Sequence, residues 1–196
     1  MRLIFNVFKK ILIVGMIVIT IILIWFSYNV IQGTINYIER DSQEHFVISI
    51  LKLNQAINSS IKQNKINPAN CHNCKANKAA LANLFIENLN VIKSNTDTIN
   101  PYFYITDGMK YIITKADGIC GSNDTVDPEK ANCVILVDIN GDKEPNIEST
   151  GNKHKRYSFR DQYRLIINAN SVEPASNSNN DVAQIAYENI RKKRYY

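Results

Sequence analysis

The side chains with types and spacing suited to chemistry are few: four cysteines, three histidines and one turn rich in side-chain oxygens. Cys71 and Cys74 enclose His72 and Asn73, while Cys120 and Cys133 stand at the two ends of a polar stretch. A Cys-x-x-Cys pair supports thiol–disulfide exchange when it opens a helix within a thioredoxin-like alternation of strands and helices. A helix pattern does follow at Lys75, but no strand pattern precedes Cys71. Four thiolates could also hold zinc, although Cys120 and Cys133 lack the close spacing of a zinc knuckle. An even number of cysteines also suits structural disulfides in an oxidising compartment. Since each pair brackets a turn-like segment, the expected bonds are Cys71–Cys74 and Cys120–Cys133.

The oxygen-rich turn is Asp138-Ile139-Asn140-Gly141-Asp142. Asp138, Asn140 and Asp142 alternate as calcium donors do at the start of a binding loop. An EF-hand would then need glycine at its sixth and glutamate at its twelfth position, where this chain has Lys143 and Ser149. A looser calcium site that recruits Asp161 stays open. So does a plain Asx turn, with Asp and Asn bonding the local backbone and Gly141 taking positive φ. His45, His72 and His154 are scattered, and none stands in a pattern with serine or a carboxylate that pairs a nucleophile with a base. No enzymatic activity and no obligatory cofactor are expected.

The elements that would position these groups begin with an apolar run. No side chain between Lys10 and Glu39 is charged. A helix over residues 11–31 would rise about 30 Å, the thickness of a hydrocarbon core. Arg2, Lys9 and Lys10 precede the run, and charges of mixed sign, Glu39, Arg40, Asp41 and Glu44, follow it. The positive-inside rule then places residues 1–10 in the cytoplasm as a short leader and everything beyond about residue 40 outside. The run exceeds the usual signal-peptide core and no small-x-small site follows Phe26, which favours an uncleaved anchor. Trp25 and Tyr28 suit the outer interface.

Beyond the span, Ile35, Ile38, Phe46, Ile50, Leu53, Ile57 and Ile61 recur at helical spacing. One helix over about 5–63 is expected, greasy all round in its first half and amphipathic in its second. Asn67-Pro68-Ala69-Asn70 breaks it. Ala79, Ala80, Leu81, Leu84, Phe85 and Leu89 predict a second helix from Lys75 to about Ile92, followed by a loop over 95–101. The period then changes. Tyr102–Ile105 and Met109–Thr114 read as strands around Asp107-Gly108, in a tight hairpin or one bent strand. Cys133–Asp138 and Tyr157–Asn168 read as further strands. Residues 171–180 are poor in apolar side chains and read as mobile, and residues 182–191 allow a short terminal helix. The fold class is therefore α+β: a long N-terminal helix, transmembrane in its first half, packed on a small antiparallel sheet of three or four strands.

Three motifs in this order resemble the type IV pilin-like proteins, specifically the pseudopilin-like "type II secretion system protein" group of bacteria. Asp107-Gly108-Met109 before a strand is similar to that group's Asp-Gly-Met element. Val137-Asp138-Ile139-Asn140-Gly141 with Pro145-Asn146 resembles its Val-Asp-x-Asn-Gly-x-x-x-Pro-Asn segment. Arg160-Asp161-Gln162-Tyr163-Arg164-Leu165 resembles its Gly-Arg-Asp-x-Phe-x-Phe strand, and Pro174 falls near a proline usual there. The resemblance covers about residues 10–174. It implies a pilin-like extracytoplasmic domain over 32–174 and a polar tail over 175–196. It also implies a bacterial cytoplasmic-membrane location, other pilin-like subunits or secretion machinery as partners, and calcium binding in some members. The candidate leader-cleavage position is Gly15-Met16, with Thr20 fifth after the cut where members usually carry glutamate.

A net charge of +5 is small and spread out, densest at Lys153–Arg156 and Arg191–Arg194. Such clusters without a broader basic face are solvated tails, so lipid and protein are the expected partners, and nucleic acid is not.

Overall fold

The computed structural model describes residues 2–63, 67–71, 74–121, 125, 127–144, 146, 148, 161–175 and 188. Helix α1 spans Arg2–Lys62, α2 spans Lys78–Ile86, and six strands follow: β1 Val91–Asn95, β2 Tyr102–Ile105, β3 Lys110–Ala116, β4 Cys133–Asp138, β5 Gln162–Ile167 and β6 Val172–Pro174. The strands form one antiparallel sheet in sequence order, β1 to β6. The architecture is the α+β arrangement of one long helix and an antiparallel sheet that the periodicities predict.

The chain divides into two compact units, Met1–Arg40 and Asp41–Tyr196. The first is helix alone. Its large apolar side chains from Ile11 to Ile31 are all exposed, between 44% and 66%. Water would make that arrangement costly, whereas hydrocarbon would not. Three of its polar side chains bond their own backbone. Thr20 Oγ1 donates to Met16 O at 2.8 Å, Asn29 Nδ2 to Trp25 O at 2.8 Å, and Thr34 Oγ1 to Val30 O at 3.0 Å. Among the described residues, one helix is thus long and apolar enough to cross a membrane.

The second unit holds the core. Phe46, Ile50, Leu53, Ala56 and Ile57 of α1 are fully buried, at spacings that put them on one helical face. They share a cluster with the inward residues of the sheet, Phe103, Tyr111, Ile113, Ile135, Val137, Tyr163, Leu165 and Ile167. The Phe46 ring stacks on Tyr163 with centroids 4.3 Å apart, and Phe103 stacks between Phe85 of α2 and Tyr111. The outward side of β4 and β5 has its own small cluster, Ala131, Val134, Ile166 and Ala175. Arg164 pairs there with Glu129, which precedes β4, and with Glu148, which precedes β5.

Asp107-Gly108 is a tight hairpin turn, with Gly108 at φ +87°. The second helix starts at Lys78 rather than Lys75, because Asn77 caps it by accepting from the Ala80 amide at 3.0 Å. Just before the cap, Ala76 sits at φ +56°, a left-handed conformation that costs a side-chain-bearing residue about 1–2 kcal/mol. Ala76→Gly is expected to stabilise the protein by about 0.5–1 kcal/mol, seen as a raised denaturant midpoint at unchanged m.

Two expectations are corrected. The loop expected over 95–101 is present from residue 96, but the helix does not run to about Ile92. It ends at Ile86, where the Glu87 amide bonds the Asn83 and Phe85 carbonyls and Asn88 Nδ2 donates to Leu84 O. Satisfying those carbonyls frees Val91–Asn95 to pair with β2 as an edge strand. Residues 171–180 are not uniformly mobile either. Val172–Pro174 is strand β6, and Asn54 on α1 grips it: Val172 N donates to Asn54 Oδ1 at 2.7 Å, and Asn54 Nδ2 to Val172 O at 3.1 Å. The sheet accordingly has six strands rather than three or four. Of the expected strand over 157–168, Gln162–Ile167 is described; Tyr157, Phe159 and Arg160 lie outside the described residues, as does the expected helix over 182–191 apart from Glu188.

Candidate functional site

In an antiparallel sheet the end of β2, the start of β3, the end of β4 and the start of β5 fall at the same end of the strands. The motif segments lie at those four places, so the fold gathers Asp107, Gly108, Asp138, Asn140, Gly141, Asn146 and Asp161 into one group of turns. Asp107 Oδ1 accepts from the Met109 amide at 3.2 Å, and its other oxygen pairs with Lys52 of α1. Gly141, at φ +75°, lies directly against the first turn. A Cβ placed on it would stand 2.8 Å from the Gly108 carbonyl oxygen, so both its conformation and its neighbour require glycine.

Asp138 and Asp161 are the two buried carboxylates of the fold's described residues, 2% and 4% exposed. Burial pushes the Asp138 carboxyl above its usual range, and the negative charge of Asp161 adds to the rise, while a hydrogen bond from Gln162 opposes it. Each carboxylate is satisfied by N–H donors. Asp138 Oδ2 accepts from Gln162 Nε2 at 2.9 Å and its Oδ1 from the Asn140 amide at 3.3 Å. Asp161 Oδ2 accepts from Asn140 Nδ2 at 2.9 Å and from the Asn146 amide at 2.8 Å. Asn146 itself takes φ +50°, which asparagine tolerates, and its Oδ1 accepts from Gln162 Nε2 at 3.3 Å. Asn140 Oδ1 is buried with no hydrogen-bond partner among the described residues. Pro145 lies outside the described residues.

Asp142, the third oxygen of the alternating set, does not join this pair. It lies 66% exposed and pairs with Lys110 at 2.6 Å, and the Tyr104 hydroxyl donates to it. Hydrogen bonds from Lys110 and then Tyr104 hold its carboxyl below the usual carboxylate range. Calcium takes six to eight oxygens converging on one point. Here the Asp138 and Asp161 carboxylates close on N–H donors and Asp142 faces a lysine, which leaves Asn140 Oδ1 alone and short of the six oxygens required, so the donor set as arranged does not fit that ion and we assign none to it. Among the described residues no group of three or more His, Cys, Asp or Glu is placed to hold a metal.

The cysteines pair as Cys71–Cys74 and Cys120–Cys133, with Cα atoms 5.1 and 5.3 Å apart. All four are buried. The first bond closes the turn ahead of α2, where Cys74 N donates to Cys71 O at 3.0 Å; the second anchors the 120–133 loop to the start of β4. Closing a loop of that length restricts the unfolded chain by about 3 kcal/mol. His45 Nδ1 lies 3.0 Å from the Asp41 carbonyl on its own helix, away from the turn cluster, and His72 and His154 lie outside the described residues. Gly15 and Met16 lie within the exposed helix of the first unit.

Sequence reasoning did not single out Lys52, Asn54, Lys110 or Tyr104. Their partners are distant in sequence, and no local pattern marks a lysine or asparagine that will meet a turn from another element. Gln162 was visible within its motif, but its bridging role was not. Set beside family models, curated proteins and solved structures, the chain matches none of them, and the assembled turns are what its function must be read from.

Proposed function

We propose that the chain is a membrane-anchored, pilin-like structural subunit of a type II secretion or type IV pilus-type system, acting through its surfaces rather than through a reaction. Residues 11–31 cross the cytoplasmic membrane with the N-terminus inside, and the disulfide-bonded sheet domain faces the oxidising side. Partners are other pilin-like subunits or the secretion machinery, with Gly15 and Gly33 permitting close approach of neighbouring helices in lipid. The observation that carries the reading is the pairing of a wholly exposed apolar helix with an α+β domain whose three motif segments pack into a single group of turns.

The anchor is tested by washing membranes at alkaline pH: the chain is expected to stay with the lipid, and quantitative release would end the proposal. Co-expression with a prepilin peptidase tests assembly. A new N-terminus at Met16 supports a filament subunit. An intact Met1 supports a second reading, a tethered extracytoplasmic binding module that does not polymerise. One observation favours this second reading. Thr20, at the position usually held by glutamate, satisfies its hydroxyl on Met16 O of its own helix and so needs no partner to offset a charge in lipid.

A further inference from the structure

The two edges of the sheet differ. At β6 the edge is closed: the side-chain amide of Asn54 bonds both the N–H and the C=O of Val172, and Pro174 has no N–H to offer. At the other side β1 pairs only with β2 among the described residues, and Ile92 to Asn95 are all exposed. A bulge between Val91 and Lys93 interrupts the register, after which Lys93, Ser94 and Asn95 run regularly against Tyr104, Phe103 and Tyr102. The sheet therefore offers one short edge with regular strand geometry.

The chemistry beside that edge has a sign. Lys93 points to the outward face with Tyr104, its ammonium 5.4 Å from the ring centroid. Lys110 stands 5.4 Å from the same centroid and 5.1 Å from that of Tyr102. Two cations thus meet at one tyrosine, and the carboxylate nearest them, Asp142, is bonded to Lys110 and to the Tyr104 hydroxyl. Lys93 makes no direct ion pair among the described residues, and Asp142 acts on it only through space. The cation–π contact holds its ammonium in place at little cost in flexibility.

We infer that β1 receives an extended acidic peptide segment of another protein, which adds a strand at Lys93–Asn95 and sets a carboxylate against Lys93. Backbone groups of the edge supply the pairing, and the lysine selects the charge of the incoming strand. The same lysine disfavours a second copy of this chain as occupant, because edge-to-edge pairing would bring two Lys93 ammoniums onto one face of a short ladder. Asp142 already shows how a carboxylate is received on this face, between a lysine and a tyrosine hydroxyl. The inference goes beyond the proposed function and holds for a filament subunit or a lone tethered module alike.

The test uses the full chain in detergent micelles with three blocked peptides: one alternating Glu and Val, one alternating Lys and Val, and one alternating Glu and Pro. The Glu–Val peptide is expected to bind and to slow amide exchange within residues 91–96. The Lys–Val peptide is expected not to bind, and the Glu–Pro peptide, whose prolines have no N–H to offer β1 when glutamate opposes Lys93, to bind at least about tenfold more weakly. Lys93→Glu is expected to reverse the preference by about tenfold, and a surface charge change of this kind leaves the fold intact. Equal binding of the Glu–Pro peptide would replace strand addition with simple charge attraction and overturn the inference. So would protection appearing elsewhere than 91–96, no binding at all, or a Lys93→Glu protein with unchanged preference.

Discussion

Asn140→Asp is expected to destabilise the protein by about 3–5 kcal/mol at neutral pH, the largest effect among conservative changes outside the core. The substitution barely alters shape. It replaces the Nδ2 donor held 2.9 Å from Asp161 Oδ2 with an oxygen, and it adds a charge beside two carboxylates that are 2% and 4% exposed. Asp161 Oδ2 would lose the Asn140 donor and gain a repulsive neighbour, while it keeps the Asn146 amide. The sign with pH follows from the same crowding. Burial raises the Asp138 carboxyl in the folded wild type, so its folded form binds the proton more readily than the unfolded chain does. A third carboxylate in the cluster shifts in the same direction. Stability lost by the variant should therefore return as pH falls through the carboxylate range and be absent at neutral pH. Thermal unfolding of wild type and variant from about pH 3 to 8 measures this. A constant difference across that range would show that the new carboxylate reaches solvent. Adding calcium separates a further alternative: recovery of the variant at neutral pH by millimolar calcium, and not by magnesium, would mean that the turns open to take a cation after all.

Phe46→Ala should cost about as much, roughly 3–5 kcal/mol, for a different reason. Phe46 is fully buried on the α1 face that meets the sheet, and its ring stacks on Tyr163 at 4.3 Å. Removing it leaves a void between helix and sheet that neither rigid element can close. The partner ring makes the control. Tyr163→Phe keeps the stack and gives up the hydrogen bond with Ser42 Oγ at 2.9 Å, a loss of about 1 kcal/mol. Urea unfolding of the full chain in micelles should place the two variants several-fold apart in stability. Similar losses in both would mean that the hydroxyl, rather than the packed ring, holds the helix to the sheet.

Local pattern and local chemistry account for much of the molecule. Between Lys10 and Glu39 the absence of charge dictates a membrane-compatible helix, because no other backbone structure satisfies its own polar groups in lipid. Helical spacing of Phe46, Ile50, Leu53 and Ile57 marked the buried face of α1, and runs of aromatic and β-branched residues marked β2 and β3. Cys71 with Cys74, and Cys120 with Cys133, were each close enough in sequence for their pairing to be legible from the turns between them. Gly108 and Gly141 declared positive-φ turns through their neighbours Asp107 and Asn140.

Tertiary structure alone decided the rest. Val91–Asn95 carries no alternation and becomes a strand because β2 offers it an unpaired side. Val172–Pro174 is too short to announce itself and is held by Asn54, 118 residues earlier in the chain. Asp142 looked like a companion of Asp138 and Asn140, but the positive φ at Gly141 turns the chain, and Asp142 meets Lys110 and Tyr104 from the neighbouring strands instead. In each case the deciding partner lies far away in sequence, and a contact of that kind exists only once the sheet has brought its strands side by side.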